Sequence, residues 1–354
     1  MRHEHLLIIR FSALGDVAMM VPVVSSLARQ YPQLRITVLS REYARAFFDD
    51  LAPNVNFMAA DVKKEYRGLR GLNALFRRLA AKQFTHVADF HNVLRSEFLR
   101  MRFNMGHYRV AHIDKHRKGR RRLVSQEHRQ LTQQPTSFEK YADVLARLGF
   151  PVELSFSSIF PPEGGNQNLL PAAIGPKSSN ALWIGVAPFA AHEGKIYPTR
   201  LMLQALQLIR QRHPDARFFF FGRGEKESQL FDEWTRELPG STNVCHLMDS
   251  MYQELILMSH LTVMISMDSA NMHMASLTAT PVVSVWGATH PYAGFMGWNQ
   301  PADNAVQLDL ECRPCSIYGH KPCLRGDYAC LHNIPPEAIA DKAEKIISEN
   351  KPHY

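Results

Sequence analysis

The chain has 354 residues, 45% of them hydrophobic, with 41 Lys and Arg against 33 Asp and Glu. That length supports a large buried core and favours two domains over one, and no stretch reaches the ~18 to 20 uninterrupted apolar residues of a membrane span. A formal charge of +8 calls for an acidic partner, but the basic residues come with no nucleic-acid-binding motif or interleaved aromatics, which disfavours nucleic acid.

Leu6 to Ile9 predicts a short strand buried in a parallel sheet, and Gly15 a sharp turn into the next helix. Asp16 then stands at a strand end, where ligands of open α/β sheets bind. A first-turn aspartate also suits the helix dipole, so position alone leaves both readings open. Arg10, Asp16 and Pro22 interrupt the N-terminal apolar run. It is therefore not read as a signal peptide, and the protein is expected in the cytoplasm.

Further strands are expected at Ile36 to Leu39 and Val87 to Phe90, with amphipathic helices near Val23 to Gln30, Leu69 to Lys82 and Phe138 to Leu148. Such alternation implies a parallel α/β sheet. The pattern then gives way to PPEGGNQN and GPKSSN, which read as a linker. The theme restarts with strands at Leu182 to Val186, Phe218 to Phe221, Val244 to Leu247, Val263 to Ile265 and Val282 to Val285, a helix at Thr199 to Arg212 and a closing helix at Pro336 to Glu349. The expected division is a first Rossmann-like domain over 1–165, a second over 176–335 and a C-terminal helix over 336–354.

Several segments carry chemistry. In Met264 to Pro291, Asp268 and Ser269 are N-cap types between a strand and a helix, and the free backbone N–H groups around Ser269, Ala270 and Asn271 make an anion site. FFFFGRGEKE places Glu225 and Glu227 after a strand, where a carboxylate can accept both ribose hydroxyls; a surface helix start explains the pattern almost as well. HLMDSM, with Met248, could wall a nucleobase or be ordinary loop packing. DFHNVLRSEFLR carries Asn92, Arg95 and Ser96 at a strand end, with Arg95 also a candidate for ion pairing near Glu97. The basic run KHRKGRRR, Lys115 to Arg122, reads either as a solvated loop or as a contact, through residues such as Arg120, for phosphates and an anionic membrane face.

Ser12, Gly15, Asp16 and Pro22, then Lys195, Tyr197 and Pro198, then Asp268, His273, Pro281, Gly287, Thr289 and Pro291 together resemble glycosyltransferase family 9, the ADP-heptose:lipopolysaccharide heptosyltransferases. The usual late Asp-Thr-Gly-x-x-His block has Ser269 and Ala270 in place of Thr and Gly, and Tyr197 replaces the usual Trp. The resemblance implies the GT-B fold, two Rossmann-like domains facing a central cleft with the last helix crossing back to the first, and transfer with inversion from ADP-heptose to the lipopolysaccharide inner core. That reaction needs a base for the acceptor hydroxyl and stabilisation of the leaving diphosphate.

Asp16 is the expected base and Lys195 the expected cation on the pyrophosphate. Glu225, Glu227, Met248, Asp268, Ser269, Ala270, Asn271 and His273 are expected on the donor side, and Ser12, Asn92, Arg95, Ser96 and Arg120 on the acceptor side. The expected partners are the nucleotide sugar and a lipopolysaccharide precursor at the inner membrane surface. No Asp-x-Asp motif appears near a strand end, so neither a catalytic metal nor another cofactor is expected. The alternatives are a related transferase with another nucleotide sugar or acceptor, and a non-catalytic basic module that binds anionic lipid or nucleic acid.

Four of the five cysteines, Cys312, Cys315, Cys323 and Cys330, fall in one short segment. A Cys-x-x-Cys followed by two more can make a tetrahedral zinc site, with free thiols or disulfides as the other readings. Cys245 reads as a small buried hydrophobe in a strand.

Overall fold

The computed structural model describes residues 4–350. The chain divides into two compact units, the first comprising residues up to His116 together with Pro135–Ile159, the second Arg117–Gln134 and everything from Phe160 on.

The first unit contains β1 (His5–Ile9), α1 (Leu14–Ala18), α2 (Val21–Gln30), β2 (Arg35–Ser40), β3 (Val55–Ala59), α3 (Gly68–Ala80), β4 (His86–Asp89), α4 (Leu94–Asn104) and β5 (Arg109–His112). The chain passes into the second unit through α5 (Arg117–Leu123) and returns to the first for α6 (Ser137–Arg147). The sheet is all parallel in the order β3-β2-β1-β4-β5. β1 is buried at every position, as a central strand with helices on both faces must be. α6 starts on a capping box in which Thr136 Oγ1 accepts the Glu139 N–H and Glu139 accepts the Thr136 N–H.

The second unit holds β6 (Trp183–Ala187), α7 (Thr199–Arg212), β7 (Arg217–Phe220), α8 (Glu225–Glu237), β8 (Thr242–Asn243), α9 (Met251–Ser259), β9 (Val263–Met267), α10 (Ala270–Leu277), β10 (Val282–Val285), β11 (Ala305–Val306), α11 (Ala329–His332) and α12 (Pro336–Glu349). Its parallel sheet runs β11-β10-β9-β6-β7-β8. α12 buries Ile339, Ala340, Ala343, Ile346 and Ile347, an apolar stripe at helical spacing, in the core formed with α7 and the sheet.

Several expectations change. The closing helix was expected to cross back to the first domain, yet α12 groups with the second unit. The strand expected at Val244–Leu247 is only β8, two residues earlier, because a turn at Val244 takes over: the Leu247 and Met248 N–H groups both donate to the Val244 carbonyl. Cys245 therefore lies in that turn rather than in a strand. Gly15 sits inside α1 instead of turning the chain into it.

The basic run is not a solvated loop. Arg117–Leu123 is helical, and its segment belongs to the second unit rather than the first. Leu123 is fully buried, the Arg120 guanidinium donates to Tyr318 Oη at 2.7 Å over the Phe295 ring, and the Gln134 N–H donates to the Tyr292 carbonyl at 2.8 Å.

Burial lowers His5 and His86 from the ordinary 6.5 and, with Arg10 and Lys115 nearby, takes His91 to about 3. These three rings fold neutral. Below pH 6.5 the unfolded chain takes up protons that the folded one refuses, so the first unit loses stability as pH falls from 6.5 toward about 3. Calorimetry should show the unfolding midpoint dropping between about pH 7 and about pH 5. A midpoint indifferent to pH over that window would contradict the burial of these rings.

Candidate active site

In each sheet the strand order reverses once, between β1 and β4 in the first unit and between β6 and β9 in the second. Loops leaving the carboxyl ends of such neighbouring strands diverge to opposite faces and open a crevice. Ser12 and Asp16 follow β1 at the first of these places, and Lys195 and Asp268 follow β6 and β9 at the second.

In the first unit the loop after β1 carries Arg10, Ser12 and Asp16. Arg10 Nη2 meets Asp16 Oδ2 at 2.9 Å, with side chains 9% and 28% exposed. The same oxygen accepts the Ala13 N–H at 3.2 Å, and the Tyr141 hydroxyl donates to the Asp16 carbonyl. Arg10 is itself held from behind, donating to the Phe90 carbonyl and lying 5.7 Å from the Tyr141 ring, which stacks on Phe90. Asp16 is thus oriented by charge and by backbone.

From the β4 side, the Phe11 N–H donates to His91 Nδ1 at 3.4 Å. The ring proton is then on Nε2, which faces Ser12 Oγ at 3.4 Å. His91 and its neighbours are fixed by Asp89, fully buried, whose Oδ1 accepts the His91 and Asn92 N–H groups and whose Oδ2 pairs with Arg100 at 3.1 Å. Asn92 serves the same brace, with its side chain bonded to Arg100 and the Ile113 carbonyl. Ser96 is fully buried and bonded only to Val93 in the hydrogen bonds of its hydroxyl, so it closes the first turn of α4 rather than facing a ligand. Arg95 is exposed beside it, and Lys115 of the basic run donates to the Asn92 carbonyl at 2.9 Å. Arg120 stands with the second unit, not here.

In the second unit Lys195, from the loop after β6, reaches Asp268, at the end of β9, with Nζ 3.0 Å from Oδ2. Thr289 Oγ1 donates to the same oxygen at 2.8 Å. Asp268 is not the helix cap; Ser269 holds that position, and its side chain makes no capping bond. The amides of the first turn of α10, at Ala270 and Asn271, have no acceptor within the helix and carry the positive end of its dipole. His273 follows on the same helix, 5% exposed.

Gly319 lies directly over Lys195, since a Cβ there would stand 2.5 Å from Lys195 Cγ, and its φ of +77° also favours glycine. After β7, Glu225 is exposed and bonded to Gln229, whereas Glu227 Oε2 accepts the Arg223 N–H at 2.7 Å and so fastens the start of α8. Met248 is half-buried in the turn after β8.

Sequence reasoning gave no role to Arg10, His91 or Thr289, although each directly contacts a residue it had singled out. For Arg10 the signal was present: a charge ending the buried strand LLII needs a nearby carboxylate.

The family model described as glycosyltransferase family 9 (heptosyltransferase) matches residues 72–324, well over half of the sequence. The chain belongs to glycosyltransferase family 9. No curated protein matches the sequence. Among solved structures, the family 9 glycosyl transferase from Veillonella parvula DSM 2008 is similar at TM-score 0.72 and 17% identity, with 99% of this chain and 99% of that one covered. The E. coli ADP-heptose lipopolysaccharide heptosyltransferase II follows at 0.69 and 17%, covering 98% and 99%. The E. coli heptosyltransferase WaaC, solved with ADP, gives 0.63 and 14%, covering 98% and 97%. The fold of this family 9 chain is GT-B, with two parallel α/β units, and the chain is a glycosyltransferase of the heptosyltransferase type.

Proposed function

We propose that this family 9 chain transfers heptose with inversion from ADP-heptose to the lipopolysaccharide inner core. The observation that carries the reading is the placement of the motif residues at the two strand-order reversals, Asp16 at one and Lys195 with Asp268 at the other. Asp16 takes the proton of the acceptor hydroxyl as its oxygen bonds to the anomeric carbon, while the bond from that carbon to the diphosphate breaks. The charge that appears on ADP is met by Lys195 and by the amides of Ser269, the N-cap of α10, and of Ala270 and Asn271 in its first turn. Asp268 orients Lys195 and can accept from sugar hydroxyls, with Glu225 on the ribose and Met248 beside the adenine. Ser12, Asn92 and Arg95 border the acceptor.

Acceptor-dependent release of ADP from ADP-heptose tests the reaction. Faster release from UDP- or GDP-sugars would favour the related transferase, and binding without turnover the non-catalytic module. The donor class can be read from ligand-induced stabilisation, in which ADP-sugars should raise the unfolding midpoint most.

The exposed residues of α5, Arg117, Lys118, Arg121 and Arg122, are assigned to the anionic acceptor and to peripheral contact with the inner membrane surface. No helix among the described residues is long and apolar enough to cross a membrane. Replacing these four by Ser should change stability by no more than about 0.5 kcal/mol per substitution, raise the acceptor KM most at low salt and spare donor binding. Arg120→Ala, which deletes a buried guanidinium, should instead cost about 1 to 3 kcal/mol of stability. Donor binding lost in the four-residue variant, with the fold intact, would move α5 to the donor side.

A further inference from the structure

Cys312, Cys315, Cys323 and Cys330 line one cavity of about 10 Å³, together with Arg313 and Arg325. All four are free thiols, Cys315 and Cys330 are buried and Cys312 and Cys323 half-buried. A space of that size admits a single ion or water and no organic ligand. Four sulfurs spaced as Cys-x2-Cys, then x7 and x6, match the ligand count and softness preferred by zinc or iron.

From this shared cavity we infer a tetrathiolate site for one zinc or iron ion, held by Cys312, Cys315, Cys323 and Cys330. Among the described residues, as the side chains stand, no group of three or more His, Cys, Asp or Glu is placed to hold a metal ion. The ion therefore draws the thiols in from the cavity wall and displaces their protons, up to four per ion, as sites that assemble on binding do. A divalent ion with four thiolates leaves a charge of two minus. Arg313, 5% exposed, lines the cavity and supplies opposing charge, and Arg325, itself paired with Asp327 at 2.9 Å, lies at its wall.

The same segment is stitched to the donor-side loop. The Arg313 guanidinium donates to the Gly287 and Thr289 carbonyls at 2.5 and 2.8 Å, and the Cys315 and Ser316 N–H groups donate to the Ala288 carbonyl. The Ala288 N–H in turn donates to the Gly194 carbonyl at 2.8 Å. An ion here braces the loop whose Thr289 holds Asp268, without taking part in chemistry.

The test is metal content, which does not depend on the substrate. The full chain, purified without chelator or an affinity metal, should carry about one zinc or iron per molecule by elemental analysis. A visible thiolate-to-iron absorption separates iron from zinc. Mercurial titration should release the ion, and Cys312→Ser or Cys323→Ser, at half-buried positions, should each lower the content at least about fivefold with circular dichroism unchanged. Cys245→Ser should leave it intact. The inference is overturned if the folded wild-type chain, reconstituted anaerobically with Zn²⁺ and with Fe²⁺ and desalted, retains under about a tenth of an ion, or if intact mass shows the four cysteines paired as disulfides.

Discussion

Asp16→Asn is expected to lower acceptor-dependent ADP release at least about a hundredfold while leaving nucleotide binding unchanged, because general base catalysis typically supplies ~10²- to 10⁴-fold. The amide keeps the size of the carboxylate, and its oxygen can still accept the Ala13 N–H. It cannot accept a proton from a sugar hydroxyl. The ion pair with Arg10 adds a second consequence, since the substitution leaves a guanidinium that is 9% exposed without its carboxylate. Some loss of stability is therefore expected under either reading of Asp16, and a shifted midpoint alone decides nothing. The deciding measurement is turnover per folded molecule, taken well below the midpoint of the variant. If Asp16 only completes the first turn of α1 and pairs with Arg10, turnover survives and the midpoint falls. Near-normal turnover would remove Asp16 from the chemistry.

How much of this arrangement was legible in the sequence depended on the kind of signal. Strands buried on both faces announce themselves as apolar runs, and LLII, WIGV and VVSV were all found with ends displaced by no more than a residue or two. α7 and α12 were found residue for residue because their apolar stripes repeat at helical spacing and Pro336 marks the start of α12. β3 and β5 were missed. They are edge strands with only one buried residue each, so neither a continuous apolar run nor a clean alternation marks them.

The site was legible where one residue type at a strand end suffices, as for Asp16 and Asp268. It was illegible where function depends on a partner far along the chain. Nothing local ties Lys195 or Thr289 to Asp268, or Ser12 to His91; only the strand order brings them together. The helical form of the basic run and the burial of Arg120 were hidden for a different reason. Charge density predicts solvation, and local sequence could not reveal that Phe295 and Tyr318, more than 170 residues on, cover Arg120.

Lys195→Ala is expected to weaken ADP binding by about 1.5 to 3 kcal/mol, the worth of a charge-assisted hydrogen bond, which raises Kd by roughly 10- to 150-fold. Transfer should slow as well, since the same cation stabilises the departing diphosphate. The structure supplies a rival explanation. Lys195 is the cation 3.0 Å from Asp268, whose side chain is only 5% exposed, so its removal strips a buried carboxylate of its charge partner and leaves the Thr289 hydroxyl. An uncompensated carboxylate beside a diphosphate would repel ADP even if Lys195 never touched it. The double variant Lys195→Ala with Asp268→Asn separates the two. Neutralising Asp268 relieves the repulsion and the buried charge together, so ADP affinity should recover if Lys195 acts only on Asp268. It should stay low if the ammonium contacts the pyrophosphate directly. Calorimetric titration of ADP into the single and double variants reads this difference, and recovery to wild-type affinity in the double variant would take Lys195 off the pyrophosphate and leave it the keeper of Asp268.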